Sequence, residues 1–212
     1  RMFWRCSSWP RIVHKATDSR TMVPEPDFCP PSISIIGSPN LLWYILNHSR
    51  TMKRTLSQSG YGITFLGTAG ARIMVASQIL ASGGLWFALG DTEILLDPGP
   101  GTIVQAAKRK LKATKLKAII LSHKHLDHSG DVNIMVEAMT EGGLSPRGAL
   151  FAPGDALDSD PVVLHYLRPF LERIEILKEG GSYSVGDVSF HTPLRHRHPV
   201  ETYGILFETE GH

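Results

Sequence analysis

The chain reads as a mixed α/β protein, and three observations carry that reading. Two apolar stretches, 85–89 and 93–96, flank the dipeptide Gly90-Asp91 as the arms of a hairpin would. Downstream, short apolar strands alternate with segments whose apolar residues recur at helical spacing. Apolar residues make up 42% of the 212, enough for sheets and helices to pack in layers around a core.

In chain order, residues 61–66 read as a strand ending in Gly67-Thr68-Ala69-Gly70. After the hairpin, Ile103, Ala107 and Leu111 repeat at helical spacing, and 116–122 is a short apolar strand. Residues 131–140 carry a helical pattern that stops at Gly142-Gly143. A strand at 149–152 is followed by 162–171, apolar at helical spacing. Strands at 174–177, 188–191 and 203–208 complete the chain, with no internal repeat and no low-complexity tract.

Residues 1–51 differ in composition from the rest of the chain. They hold six Lys/Arg against three Asp/Glu, both cysteines (Cys6 and Cys29) and three of the four tryptophans. Prolines cluster at Pro24, Pro26, Pro30 and Pro31, and no period runs through the segment. Its longest apolar piece lacks a signal-peptide cleavage pattern. A poorly ordered leader or non-native extension over 1–51 is expected, with a folded domain over 52–212 opening at Met52-Lys53-Arg54. That second part carries 16 Lys/Arg against 17 Asp/Glu.

The formal net charge of +2 does not by itself argue for nucleic acid or a membrane surface. No run of about 18 apolar residues is present, so no membrane partner and a cytoplasmic location are expected. Two cysteines exclude a disulfide scaffold and a cysteine-built zinc site. Against ten histidines, they imply that any transition metal here is held by imidazole and carboxylate.

The informative stretch is Ser122-His123-Lys124-His125-Leu126-Asp127-His128-Ser129-Gly130. Three histidines and one aspartate fall at the end of an apolar strand, where ligands collect in open α/β sheets. His123 and His125, two apart in extended backbone, point the same way and can share one ion. Asp127 and His128 lie past the bend and can face a second ion. These ligands suit zinc, one ion or two, with manganese or iron as alternatives. The competing reading is a solvated loop that happens to be rich in histidine.

His-x-His-x-Asp-His after a strand, with Leu66-Gly67-Thr68 and Leu95-Leu96-Asp97-Pro98-Gly99 upstream, resembles the metallo-β-lactamase-fold hydrolases. The resemblance covers about 62–208. It implies an αββα sandwich, of which this chain would hold the N-terminal part, with one or two metal ions at the sheet edges. His198-Pro199-Val200-Glu201-Thr202-Tyr203-Gly204 is similar to the tRNA 3′-processing nuclease (ribonuclease Z) and phosphodiesterase branch. His196 and His198 face the same side of an extended strand, so geometry does not choose between them. The resemblance selects His198, with His123 and His125, for the first ion; Asp127 and His128 serve the second. It also gives Asp127 the catalytic role of orienting or deprotonating the water, and Asp97 that of steadying the histidine loop. A turn cap made by Asp97 for its own backbone is an equal alternative.

The activity so implied is metal-dependent hydrolysis of a phosphodiester, in a small molecule or a nucleic acid. Thioester or lactone hydrolysis, or metal binding without catalysis, are the alternatives. The resemblance further implies a bridging aspartate and a final histidine well beyond His198. Only residues 199–212 come after it, so an incomplete second site and uncovered apolar faces on the last strands are expected. His165 reads as a partly buried histidine of a helix. The basic run Lys108, Arg109, Lys110, Lys112, Lys115 and Lys117 reads as a solvated helix face, with RNA phosphate as the alternative partner.

Overall fold

A computed structural model describes residues 60–70, 72–77, 80–158 and 160–208; the expected leader over 1–51 and the boundary at Met52 lie outside these. The strands are β1 (Tyr61–Phe65), β2 (Leu85–Leu89), β3 (Thr92–Leu96), β4 (Leu116–Ile120), β5 (Ala149–Ala152), β6 (Arg173–Ile176), β7 (Gly181–Val185), β8 (Val188–Thr192) and β9 (Leu206–Glu208). The helices are α1 (Arg72–Ser77), α2 (Thr102–Lys108), α3 (Leu126–Ser129) and α4 (Val132–Met139). Strands β1 to β6 form one sheet in sequence order, and β7-β8-β9 a second.

The first sheet begins antiparallel and becomes parallel from β3 onward. Its hairpin forms as expected: Leu89 pairs with Thr92 across Gly90-Asp91, and Gly90 takes φ 61°. Alternate residues then serve two cores. Leu95, Ile119, Leu121 and Leu150 face a helical layer made by Val132, Met135, Val136 and Met139 of α4. Ile94, Ile120 and Phe151 face the second sheet, where Val185, Val188 and Phe190 meet them. The described residues thus stack as helices, sheet and sheet. Lys117 interrupts the alternation. Glu93 pairs with Leu116 and Ile94 with Ala118, so Lys117 is the extra residue of a bulge and stays exposed within an otherwise buried strand.

Several sequence expectations change. Residues 162–171 form a short 3-10 helix, His165–Phe170, rather than an α-helix; Pro169 within it cannot donate to a helical ladder. His165 is exposed, not partly buried. In α2 the buried residues are Thr102 and Ala106, while Ala107 is exposed. The basic run is solvent-exposed but spreads over the end of α2, a turn and β4 instead of one helix face. Strands 203–208 and 188–191 become Leu206–Glu208 and Val188–Thr192, with Tyr203 held by a single bridge to Arg195. Strand β7 and helix α1 carry no sequence signal that marked them. Among the described residues of the last strands, Tyr183, Val185, Val188, Phe190 and Phe207 pack inward, and the outer face is mostly polar, with Ser182, Ser184, Ser189, His191 and Glu208 around a partly exposed Leu206.

Candidate metal centre

Strand β4 ends at Ile120, and the chain runs through Leu121 and Ser122 before bending into α3. This puts His123, His125, Asp127 and His128 at the carboxyl end of a central parallel strand. The bend is held from beneath by close backbone contact. A Cβ on Gly99 would lie 2.1 Å from the Asp127 carbonyl oxygen, so only glycine lets the β3 loop approach α3. Asp131 closes the same junction: its N–H donates to the Pro98 carbonyl at 2.8 Å, and its carboxylate accepts from the Ile103 N–H at 2.9 Å.

Four imidazoles converge. Ring centroids of His123 and His128 are 4.1 Å apart, those of His123 and His125 5.0 Å, and those of His125 and His198 4.9 Å. His198 also lies 5.3 Å from His123. Among the described residues, ligand atoms of His123, Asp127 and His128 all lie within 4.8 Å of one another. That grouping crosses the expected division, in which His123 belongs with His125 and His198. His196 stands apart: its Nε2 lies beside Gly204, 3.3 Å from where a Cβ there would be, and its N–H donates to the Thr202 carbonyl at 2.8 Å.

The hydrogen bonds around the rings decide which nitrogen faces inward. The Ser122 hydroxyl donates to Asp97 Oδ2 at 2.6 Å and lies 3.0 Å from His123 Nδ1. With its own proton committed, the hydroxyl accepts from Nδ1–H, leaving the Nε2 lone pair of His123 toward the cluster. Thr202 does the same for His198. Its hydroxyl donates to the Val200 carbonyl at 3.1 Å and lies 3.1 Å from His198 Nδ1. His128 Nδ1 lies 2.9 Å from Asp97 Oδ2, and its Nε2 lies 3.6 Å from Asp127 Oδ2. Asp97 therefore serves the histidine loop: its Oδ1 also accepts from the Ser122 N–H at 2.7 Å, while its backbone, at φ 51°, is held by its own N–H donating to the Ile120 carbonyl at 2.9 Å.

Charge follows the same layout. Burial, with the positive potential of His128 beside it, lowers the His123 pKa to about 4, so this ring is neutral near pH 7. Burial also opposes charge on His128, but the hydrogen bond and charge of Asp97 outweigh it and raise its pKa. Asp97 is in turn lowered despite burial, because His128 and Ser122 donate to it. Imidazoles gathered beside one carboxylate are the donor set a divalent cation of the zinc type takes. The sequence does not mark Ser122 or Thr202 as ring-orienting groups, nor the full role of Asp97. Ser122 adjoins the motif and Thr202 comes one turn after His198, but hydroxyls at such places are common in loops of every kind.

Parallel strands that deliver imidazoles and a carboxylate to one sheet edge define a layered α/β protein with a histidine-rich cation site. The chain belongs to the β-lactamase superfamily, whose domain model matches residues 92–212. It is 32% identical over 150 residues to an uncharacterised protein of Methanocaldococcus jannaschii, covering 68% of this chain and 55% of that one. Among solved structures it is similar to the metallo-β-lactamase fold protein YhfI from Bacillus subtilis, with TM-score 0.56 and 21% identity, over 71% of this chain and 59% of that one. It is also similar to the Rm3 metallo-β-lactamase, with TM-score 0.50 and 17% identity, over 71% and 55% of the two chains. At these identities the likeness shows the fold. The chain spans about half the length of the curated relative it matches. The metallo-β-lactamase fold implies a divalent metal ion, and the donors of this cluster fit one.

Proposed function

We propose that the chain carries the metal centre of a hydrolase that cleaves phosphodiester bonds, with zinc as the ion. The observation behind this reading is the convergence of His123, His125, His128 and His198 with Asp127 at one strand end. His123, His125 and His198 would hold one ion, and Asp127 and His128 a second. When bound, such ions supply water activated for attack near neutral pH and positive charge beside the attacked group. Asp127, half-buried at the rim, is placed to orient the attacking water and accept its proton. Asp97, Ser122 and Thr202 keep the rings turned so that Nε2 faces the reacting centre.

The phosphodiester preference rests on charge. Lys124 lines a cleft together with His125 of the cluster. Its positive charge favours an anionic ester over a neutral lactone or thioester. The resemblance of 198–204 to the ribonuclease Z and phosphodiesterase branch supports the same choice. Zinc-loaded protein assayed against bis-p-nitrophenyl phosphate, S-lactoylglutathione and a lactone tests it. Turnover of the phosphodiester above the other two is expected. Faster turnover of the thioester or lactone would reassign the substrate, and turnover of none would leave a cation-binding domain without catalysis.

A further inference from the structure

A cleft of about 440 Å³ opens beside the histidine cluster, lined by Lys124, His125 and Leu126 together with Asp160, Pro161 and Val162 from a distant part of the chain. The volume is within the range of about 300–1,000 Å³ typical of small-molecule sites. His125 belongs both to this cleft and to the cluster, so a molecule seated here has one end against the imidazoles. Lys124, whose Nζ lies 3.4 Å from the Asp155 carbonyl, adds positive charge at that end.

The part of the lining from 160–162 is built rather than incidental. Asn133 of α4 holds it with both ends of its amide: Nδ2 donates to the Val162 carbonyl at 2.8 Å, and Oδ1 accepts from the Leu164 N–H at 2.9 Å. The Val162 N–H donates to the Ala156 carbonyl at 3.0 Å. Asp160 is kept at φ 54°, a left-handed conformation uncommon for a residue other than glycine, asparagine or aspartate. Its exposed carboxylate makes no hydrogen bond or ion pair among the described residues. Leu126 is 69% exposed although it sits between His125 and Asp127.

Building on the hydrolase reading, we propose that this cleft seats the non-reacting half of the substrate, and that this half is a ring-bearing group with hydroxyl or amino donors, as in a nucleoside. The ring face lies on Leu126, Pro161 and Val162, its donors reach the Asp160 carboxylate, and the phosphate meets the His125–Lys124 end. A plain hydrocarbon chain fits worse, because it would cover Asp160 without giving it a hydrogen bond. A second anion fits worse still, because Asp160 would repel it.

Calorimetric titration of the zinc-loaded chain with adenosine 5′-monophosphate and with inorganic phosphate tests this. The nucleotide is expected to bind about tenfold more tightly than phosphate, the worth of a hydrogen bond to a charged group plus apolar contact. Asp160→Asn, which tolerates the left-handed backbone, should remove about tenfold from nucleotide affinity, and Leu126→Ala about three- to tenfold. Neither should change zinc content or phosphate affinity. Equal affinity for the two probes, or variants without effect while zinc and phosphate still bind, would overturn the cleft and leave the metal centre standing. Zinc lost in either variant would also overturn it, since the residue would then act through the cluster. A wild-type chain that holds no zinc and binds neither probe would overturn the metal centre and the cleft together.

Discussion

A lone histidine on the small sheet and the histidine cluster at the end of β4 share partner types but not chemistry. On the outer face of the small sheet, Ser182 Oγ lies 2.9 Å from His191 Nδ1, and His191 Nε2 lies 3.0 Å from Glu208 Oε2. At the end of β4, His128 and His123 likewise have a carboxylate and a hydroxyl within 3.0 Å. The difference is in the second nitrogen. His191 uses both ring nitrogens, one on each neighbouring strand, and lies on an open sheet face. His123 and His198 give Nδ1 to a hydroxyl and His128 gives Nδ1 to Asp97, which leaves each Nε2 for the cluster, where His128 Nε2 lies 3.6 Å from Asp127 Oδ2. A hydrogen-bonded histidine is ordinary; several with inward nitrogens at one strand end make a cation site.

The largest expected effect comes from the inward nitrogens themselves. Replacing His123 and His125 together by alanine should reduce zinc from at least one ion per chain to nearly none by elemental analysis, because a tetrahedral site does not survive the loss of two ligands. His191→Ala should retain the wild-type content. Full zinc in the double variant, or loss in His191→Ala, breaks the comparison.

Next come the two carboxylates. Asp97→Ala strips His128 and Ser122 of their acceptor and should weaken zinc binding about 10- to 100-fold in a chelator competition. It should also destabilise the fold by about 1–3 kcal/mol in urea unfolding, because the partly buried His128 and Ser122 lose their acceptor. Glu208→Ala, at the partly exposed pair, should change stability by about 0–1 kcal/mol and leave zinc affinity alone.

Gly99→Ala places a methyl against the Asp127 carbonyl and should cost about 1–3 kcal/mol, since backbone must shift to admit it. Zinc affinity should fall with it, because α3 carries Asp127 and His128. Gly90→Ala makes a control, because a Cβ there meets nothing within 4 Å and only the turn conformation resists. Equal zinc affinity in both glycine variants would show that the close approach at Gly99 does not position the ligands.

The smallest effect sharpens the comparison at one atom. Thr202→Val removes the hydroxyl that accepts from His198 Nδ1, and zinc affinity should drop about tenfold while Thr202→Ser restores it. A valine variant with unaltered affinity would mean that packing alone orients the ring.

How much of the fold was legible depended on distance along the chain. The hairpin was, because Gly90-Asp91 and the apolar stretches on either side of it are local signals. The inward rows of β3 and β4 were, because continuous apolar runs mark strands buried on both faces. Strand β7 was not: Gly-Ser-Tyr-Ser-Val is small and polar, and it is a strand because β8 pairs with it and Tyr183 finds Phe190. Helix α1 escaped because Ile73 is 80% exposed and no apolar face repeats. The helical spacing over 162–171 marked real burial at Val163 and Leu167, but Pro169 held the segment to a short 3-10 turn.

For the site, the amino-acid sequence by itself determined the donor types and their local order. His123, His125, Asp127 and His128 fall within six positions, and strand geometry followed by a bend presents them together. Only the tertiary structure decided what those donors face. Asp97 reaches His128 across 31 positions because β3 and β4 pair in parallel and end side by side. His198 joins His123 and His125 because the Tyr203 N–H docks on the Ser122 carbonyl at 3.1 Å, bringing a loop of the second sheet to the edge of the first. The same packing, not the spacing, brings Asp160 and Leu126 into the lining of one cleft. Backbone conformation is a property of a few neighbouring residues, whereas the partner of a side chain is set by which strands lie together, and that depends on burying the whole core at once.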